Sequence, residues 1–311
     1  MKRVLVILAV CVITVLLLFF GSAFFSAQRA DYGWHPATTK PEFITEHPRV
    51  LIDEAHHNTS AGIFGRYWPL ARLLRADGYS VIRGKEVLTP AYLDGVQVLI
   101  IANASGAPNP QVFGMNIPIA NRKKRSDPAF TATEIQVIRS WVEQGGSLLL
   151  IADHAPFGEA AAALGAAFGV TMHKGFVEVP GELSDPLLFS LDNGRLGEHR
   201  IVKGNKLNAA VRRVMTYTGQ SIDGPAAATV LLRLPDTAVE SVPQGDTLVS
   251  QSAGQAQGLA FEWGEGRVVV LGEAAMVTAQ VSGRVRYGMN TSDNDNRQFV
   301  LNVMHWLSRK L

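Results

Sequence analysis

Four short apolar runs constrain this chain more than anything else in it. Arg49-Val-Leu-Ile-Asp53, Val96-Gln-Val-Leu-Ile-Ile-Ala102, Ser147-Leu-Leu-Leu-Ile151 and Arg267-Val-Val-Val-Leu-Gly272 are each too short for a helix and apolar at consecutive positions. A strand half exposed to water alternates apolar and polar residues, whereas one covered on both faces does not. These runs therefore predict parallel strands sandwiched between helices. The intervening segments supply those helices. Gly62–Asp77 places Ile63, Tyr67, Leu70, Leu73 and Leu74 at helical spacing. Thr131-Ala-Thr-Glu134 is a capping-box pattern ahead of Ile135, Ile138, Trp141 and Val142, and Phe157–Phe168 is rich in alanine. Tyr79–Ile82 predicts a further strand, and Asp295–Leu307 a final amphipathic helix. The fold class expected is α/β, a doubly wound and mainly parallel, flavodoxin-like sheet. The second half is richer in strands, at Ala227–Leu234 and Gly258–Trp263, with an extra hairpin turning at Gly264-Glu265-Gly266.

The N-terminus carries a different signal. After Lys2 and Arg3 the chain is apolar from Val4 to Phe25, with no charge before Arg29. At about 1.5 Å per residue such a helix is roughly 30 Å long, the thickness of a bilayer core. The run is long for a signal-peptide core, although Ser26-Ala27 could serve a cleavage site. The expectation is a single-pass inner-membrane anchor over 1–27, a linker over 28–47, and an extracytoplasmic, periplasmic domain over 48–311, oriented by the Lys2/Arg3 pair. Cys11 does not mark a lipidation site, because Val10 stands where a small residue is needed.

Composition excludes some chemistry. Setting Lys2 and Arg3 aside from 29 Lys+Arg leaves 27 against 27 Asp+Glu, so the remainder has no net charge and no nucleic-acid footprint. The chain's single cysteine is Cys11, so the folded part has neither a thiolate nucleophile nor a cysteine-ligated metal.

The stretches Trp141-Val-Glu-Gln-Gly-Gly-Ser-Leu-Leu-Leu-Ile-Ala-Asp153 and Trp263-Gly-Glu-Gly-Arg-Val-Val-Val-Leu-Gly-Glu273 resemble the class I glutamine amidotransferase-like superfamily over about residues 48–309. Within it the chain looks most like a bacterial branch near the domains of gliding-motility transporter auxiliaries and intraflagellar-transport proteins. The resemblance implies a nucleophile on the turn after the fourth strand, which here reads Ile151-Ala-Asp-His-Ala-Pro-Phe-Gly158 and holds no cysteine or serine. Glutaminase activity is not carried over. Relatives lacking the cysteine include scaffold and binding domains.

In open α/β sheets ligands collect beyond the carboxyl ends of the strands. The residues there are Asp53, Glu54, His56, His57 and Asn58 after the first strand, Asn103 after the third, Asp153 and His154 after the fourth, and Glu273 after the last. Imidazoles and carboxylates are what zinc or a similar divalent metal takes when no thiolate is present. Asp53, His56, His57, Asp153 and His154 are thus the candidate metal ligands. Glu273 and Asp153 are the candidate catalytic groups, and Asn58, Asn103 and Asn290 are candidate ligand contacts. Of the neighbouring His56 and His57, at most one is expected to face inward. The blander reading has the same residues capping helices and tying turns. Thr59-Ser-Ala-Gly62 could cradle an anion on backbone N–H groups. Arg122-Lys-Lys-Arg125, in the long Ala104–Phe130 segment, reads as a solvated basic cluster or an anion or membrane contact. Asp293-Asn-Asp-Asn296 lacks the glycine of a calcium loop and suits a helix start. Two functions remain open: an anchored hydrolase for a small polar or saccharide-like ligand, and a non-catalytic binding or scaffold domain with an envelope protein partner.

Overall fold

A computed structural model describes residues 10–15, 18, 21–22, 25–36, 40–58, 60–63, 65–112, 115–116, 123–182, 185–205 and 209–311. Its centre is a sheet of nine strands. Five run parallel: β1 (Arg49–Asp53), β2 (Ser80–Gly84), β3 (Val98–Ala102), β4 (Ser147–Ile151) and, late in the chain, β9 (Gly266–Leu271), in the spatial order β2-β1-β3-β4-β9. The sheet continues antiparallel through β8 (Ala256–Trp263), β6 (Ile222–Asp223) and β5 (Thr171–Met172), and β7 (Thr229–Arg233) also pairs with β8. The β8–β9 hairpin turns through Gly264-Glu265, with Trp263 opposite Gly266. Gly264 takes a φ of 58°, and a Cβ there would lie 2.7 Å from the Glu143 carbonyl oxygen, so glycine is needed.

The apolar runs are buried on both faces, as expected. Val50, Ile52, Val98, Ile100, Leu149 and Ile151 join one core; it includes residues of α1 (Trp68–Ala76), α4 (Arg200–Lys203) and α5 (Asn296–Leu307). Their neighbours Leu51, Leu99, Ile101, Leu148 and Leu150 join the other, which includes residues of α2 (Ala132–Glu143) and α3 (Phe157–Ala167). The capping box at Thr131 is formed: its Oγ1 accepts the Glu134 N–H, and Glu134 Oε2 accepts the Thr131 N–H. α1 is shorter than the Gly62–Asp77 periodicity predicts. Gly65 packs so tightly on Ser60 that a Cβ would sit 1.7 Å from its carbonyl oxygen, and the helix begins only where Pro69 can occupy its first turn.

Two features depart from expectation. The hairpin Val239–Gln244/Thr247–Ser252 extends a side sheet with Phe176–Glu178, and its outer strand is exposed throughout, so no hydrophobic alternation marks it. The stretch 28–47, read as a linker, contributes to the fold. Arg29–Ala30 pairs with Ala279–Ser282, which pairs in turn with Val285–Gly288. Phe43 is 3% exposed and packs on Tyr79 with ring centroids 4.6 Å apart. Its N–H and that of Glu42 bond to Asp77 at the end of α1.

Much of Val4–Phe25 lies outside the described residues. Among those described, no helix is long and apolar enough to cross a membrane. Residues 10–15 are helical and exposed. The end of this segment is fastened to the domain: Gly283 N–H donates to the Phe25 carbonyl at 2.9 Å, and Ser282 Oγ to that of Ser26 at 2.8 Å.

Candidate functional site

The carboxyl ends of β1, β3, β4 and β9 open onto a cleft of about 1120 Å³. Its lining includes Asn58, Arg66, Tyr67, Asn103, Asp153 and His154, with Arg125, Phe157, Tyr217 and Glu273. Residues Ala27–Arg29 and Tyr32 form part of one wall, beside Gln280 and Tyr287 of the hairpin they pair with.

Asp153 follows β4 and Glu273 follows β9, its parallel neighbour, so the sheet brings their side chains together. The Asp153 N–H donates to Asn103 Oδ1 at 2.9 Å, and Asp153 Oδ1 accepts the His154 N–H at 2.8 Å. From below, Gln220 Nε2 donates to the carbonyls of Ala152 and Asp153 at 2.9 and 3.2 Å. Glu273 is wholly buried, its two carboxyl oxygens accepting the N–H groups of Ala275 at 2.6 Å and Met276 at 2.8 Å. Burial raises the pKa of Asp153. Burial, and then the charge of Asp153, raise that of Glu273 well above the ordinary carboxylate range. The Tyr67 phenol is pushed up by burial and by both carboxylates. The pair therefore favours retaining a proton where exposed carboxyls have lost theirs.

His154 is the residue best placed for proton transfer beside them. Its ring stacks on Phe176, with centroids 4.7 Å apart and an interplanar angle of 23°. Nδ1 lies 2.8 Å from the Ala155 carbonyl, to which it must donate, so in the neutral ring Nε2 carries the lone pair.

The metal ligand set expected from the sequence divides between two places. Asp53 and His56 do not line the cleft. His56 is 8% exposed, with Nδ1 2.9 Å from Asp53 Oδ2 and Nε2 2.9 Å from Glu134 Oε1. Both ring nitrogens are thus taken by carboxylates, which leaves no lone pair for a metal. Among the described residues, no three His, Cys, Asp or Glu side chains come together to hold a metal ion. The residues do not fit the group the sequence suggested. Glu134 was missed as a site residue because its other oxygen already accounted for it as a capping-box acid.

The remaining candidates separate similarly. His57 has a φ of 54°, is exposed, and borders the cleft while His56 is buried. Asn58 also borders it, but its side chain ties the loop, accepting the His56 N–H and donating to the Ala102 carbonyl, each at 3.1 Å. Asn290 is not part of the cleft lining; its Nδ2 donates to Asp31 Oδ2 at 2.8 Å and to the Gln280 carbonyl at 3.0 Å, joining the N-terminal stretch to the hairpin. Of the anion cradle expected at Thr59–Gly62, Thr59 lies outside the described residues; Glu54 Oε1 accepts the Ala61 N–H at 2.7 Å while pairing with Arg83, and Ser60 Oγ accepts the Gly62 N–H at 2.9 Å. At the start of α5 the Asn294 Oδ1 accepts the Asn296 N–H at 2.9 Å, while the Asp295 carboxylate accepts the N–H groups of Arg212 and Arg213. Arg66, Tyr67 and Arg125 were not singled out as site residues. The first two sit in a turn read as helix, and Arg125 ends a run whose charge looked solvated.

No family model matches the chain, and no curated protein matches it. Among solved structures, it is similar to the mmIFT52 N-terminal domain, with a TM-score of 0.55 and 15% identity over 84% of this chain and 97% of that one. It is also similar to Cytoplasmic Protein STM3548 from Salmonella typhimurium, with a TM-score of 0.49 and 14% identity over 83% and 98% of the two chains. A ThuA-like protein from Bacteroides uniformis gives 0.42 and 13% identity over 86% and 95%. The chain shares the mixed α/β fold of the mmIFT52 N-terminal domain. At these identities the likeness extends to the fold alone and supplies no activity.

Proposed function

We propose that this cleft binds a small polar ligand and hydrolyses it by general acid–base chemistry, in a domain held at the extracytoplasmic face of a membrane by the Val4–Phe25 segment. The observation that carries the reading is the pairing of Asp153 with Glu273 at the ends of adjacent parallel strands, where burial raises both pKa values and the charge of Asp153 raises that of Glu273 further. Such a pair retains a proton for a leaving-group oxygen. In this reading Asp153 gives that proton, and water loses one to Nε2 of His154 as it attacks. Glu273 holds the turn, its carboxyl oxygens accepting the N–H groups of Ala275 and Met276. No step calls on a metal, since the ligand set does not assemble. The chain's place near the cysteine-lacking bacterial branch belongs to the same proposal, as does its association with an envelope partner.

One observation favours a binding role. Both oxygens of Glu273 are engaged by backbone N–H groups, so one member of the pair is committed to structure. The two readings separate on turnover. The full chain in detergent is assayed against nitrophenyl glycosides, esters and phosphates, beside Asp153→Asn and His154→Ala. Hydrolysis that falls at least 100-fold in Asp153→Asn supports the acid–base reading. Saturable binding of the same compounds without turnover in the wild type leaves the binding role.

A further inference from the structure

Arg125 is built into the cleft wall. Its backbone carbonyl accepts the Gly106 N–H at 3.0 Å and Ser105 Oγ at 3.3 Å, which fixes the residue in place. Its guanidinium lies over the Phe157 ring, 5.0 Å from the centroid. Its Nε is buried and has no hydrogen-bond partner, and among the described residues no carboxylate forms an ion pair with it. A buried guanidinium donor left without an acceptor is costly unless something outside the chain supplies one. Arg66 lines the same cleft close enough for the two cations to repel: burial, then Arg66, lower the pKa of Arg125. Burial also lowers that of Arg66, against the charges of Tyr67 and Asp153. A guanidinium seated on a fixed aromatic face with an unmet donor, and a second cation lining the same cleft, mark a place for an anion.

We infer that Arg125, with Arg66 beside it, forms an oxyanion subsite, and that the ligand of this cleft carries a phosphate group set next to Asp153. A guanidinium offers paired N–H donors that match phosphate oxygens. A phosphate dianion brings more charge and more acceptor oxygens to such a cleft than a carboxylate does. The inference rests on the cleft being the ligand site, and it narrows the small polar ligand to a phosphorylated one.

The test is calorimetric titration of the full chain in detergent with inorganic phosphate, with acetate as the monovalent comparison. Phosphate should bind at one site per chain and more tightly than acetate, and Arg125→Gln should weaken it at least tenfold. Arg125→Lys, which keeps the charge but loses the fork, should recover only part of the loss. Thermal melting without phosphate shows whether each variant is folded, and Arg66→Gln supplies a second, independent weakening should Arg125→Gln fail to fold. Glycerol phosphate against vesicles containing phosphatidic acid distinguishes a soluble ligand from a lipid headgroup, and binding of either supports the subsite. Absence of phosphate binding to folded wild-type protein at millimolar concentration overturns it, as does binding that ignores both arginine substitutions. Asp153→Asn keeps the two proposals apart. Phosphate binding retained in a wild type that hydrolyses nothing overturns the acid–base reading alone, whereas hydrolysis of neutral glycosides without phosphate affinity overturns this one alone.

Discussion

Replacing His56 with alanine should be among the most damaging single changes in the domain, and for a reason unrelated to catalysis. The ring holds two buried carboxylates apart and neutralises them, with Asp53 at 2.9 Å from one nitrogen and Glu134 at 2.9 Å from the other. Burial works against the imidazolium, but the hydrogen bonds and charges of Asp53 and then Glu134 outweigh it, so the His56 pKa is raised. Removing the ring leaves both acids without that partner. Breaking a buried pair in this way costs about 3–5 kcal/mol. With a urea dependence near the upper end of the small-protein range, about 3 kcal/mol per molar, the unfolding midpoint should fall by roughly 1–1.7 M. The pH dependence has a definite sign. A raised imidazole pKa gives stability that is full below the unfolded value of 6.5 and declines as pH rises through the folded value. Glu134 runs the other way. Burial raises its pKa, but bonds from Thr131 and His56 bring it below 4.5, so its share is lost on acidification. The gap between wild type and His56→Ala should therefore be widest between pH 4.5 and 6.5 and narrow toward alkaline pH. A midpoint shift below about 0.3 M, under 1 kcal/mol by the same conversion, would refute the reasoning. So would a wild type whose melting temperature a chelator lowers as far as the mutation does, because that result makes His56 a metal ligand.

Three further outcomes are expected. Phe43→Ala should cost about 3–5 kcal/mol in urea unfolding, and a chain begun at residue 48 should be less stable than one begun at Gln28, since Phe43 packs against Tyr79. Asp153→Asn should raise the melting temperature at pH 7 and flatten its fall above pH 3.8, because a raised carboxyl pKa gives stability that is full below the unfolded value and lost as pH rises through the folded one. Thr131→Ala should remove the capping box at a cost of about 1 kcal/mol, read from the same urea curves.

How much of this was legible in the sequence depended on whether a residue's role was local. The strands were legible because burial on both faces leaves an unbroken apolar run, as in Ser147–Ile151, and the carboxyl-end rule then puts Asp153 and Glu273 in one cleft. Asp53 and His56 obeyed the same rule and still point elsewhere. Their partner Glu134 lies 78 residues from His56, and nothing in one dimension distinguishes a histidine clamped between acids from one awaiting a metal. Arg125 was hidden by its neighbours, because a run of four basic residues looks solvated even when one of them turns inward. The 28–47 stretch failed for want of periodicity: it adds a two-residue strand and one anchoring aromatic, too little for a repeat to register.

The bonds from Gly283 and Ser282 to the Phe25 and Ser26 carbonyls leave no slack between the apolar segment and the hairpin that walls the cleft. A catalytic head on a flexible leash sweeps a hemisphere whose radius grows with the leash, and it samples partners well above the bilayer. Were the chain anchored through Val4–Phe25, its stitching at Ser26 would leave no such radius. Its cleft would stay at one height and one tilt above the lipid, so encounters would become a search in two dimensions, governed by the surface density of the ligand in place of its bulk concentration. Lengthening the join with a few glycines between Ser26 and Gln28 would trade that fixed altitude for reach.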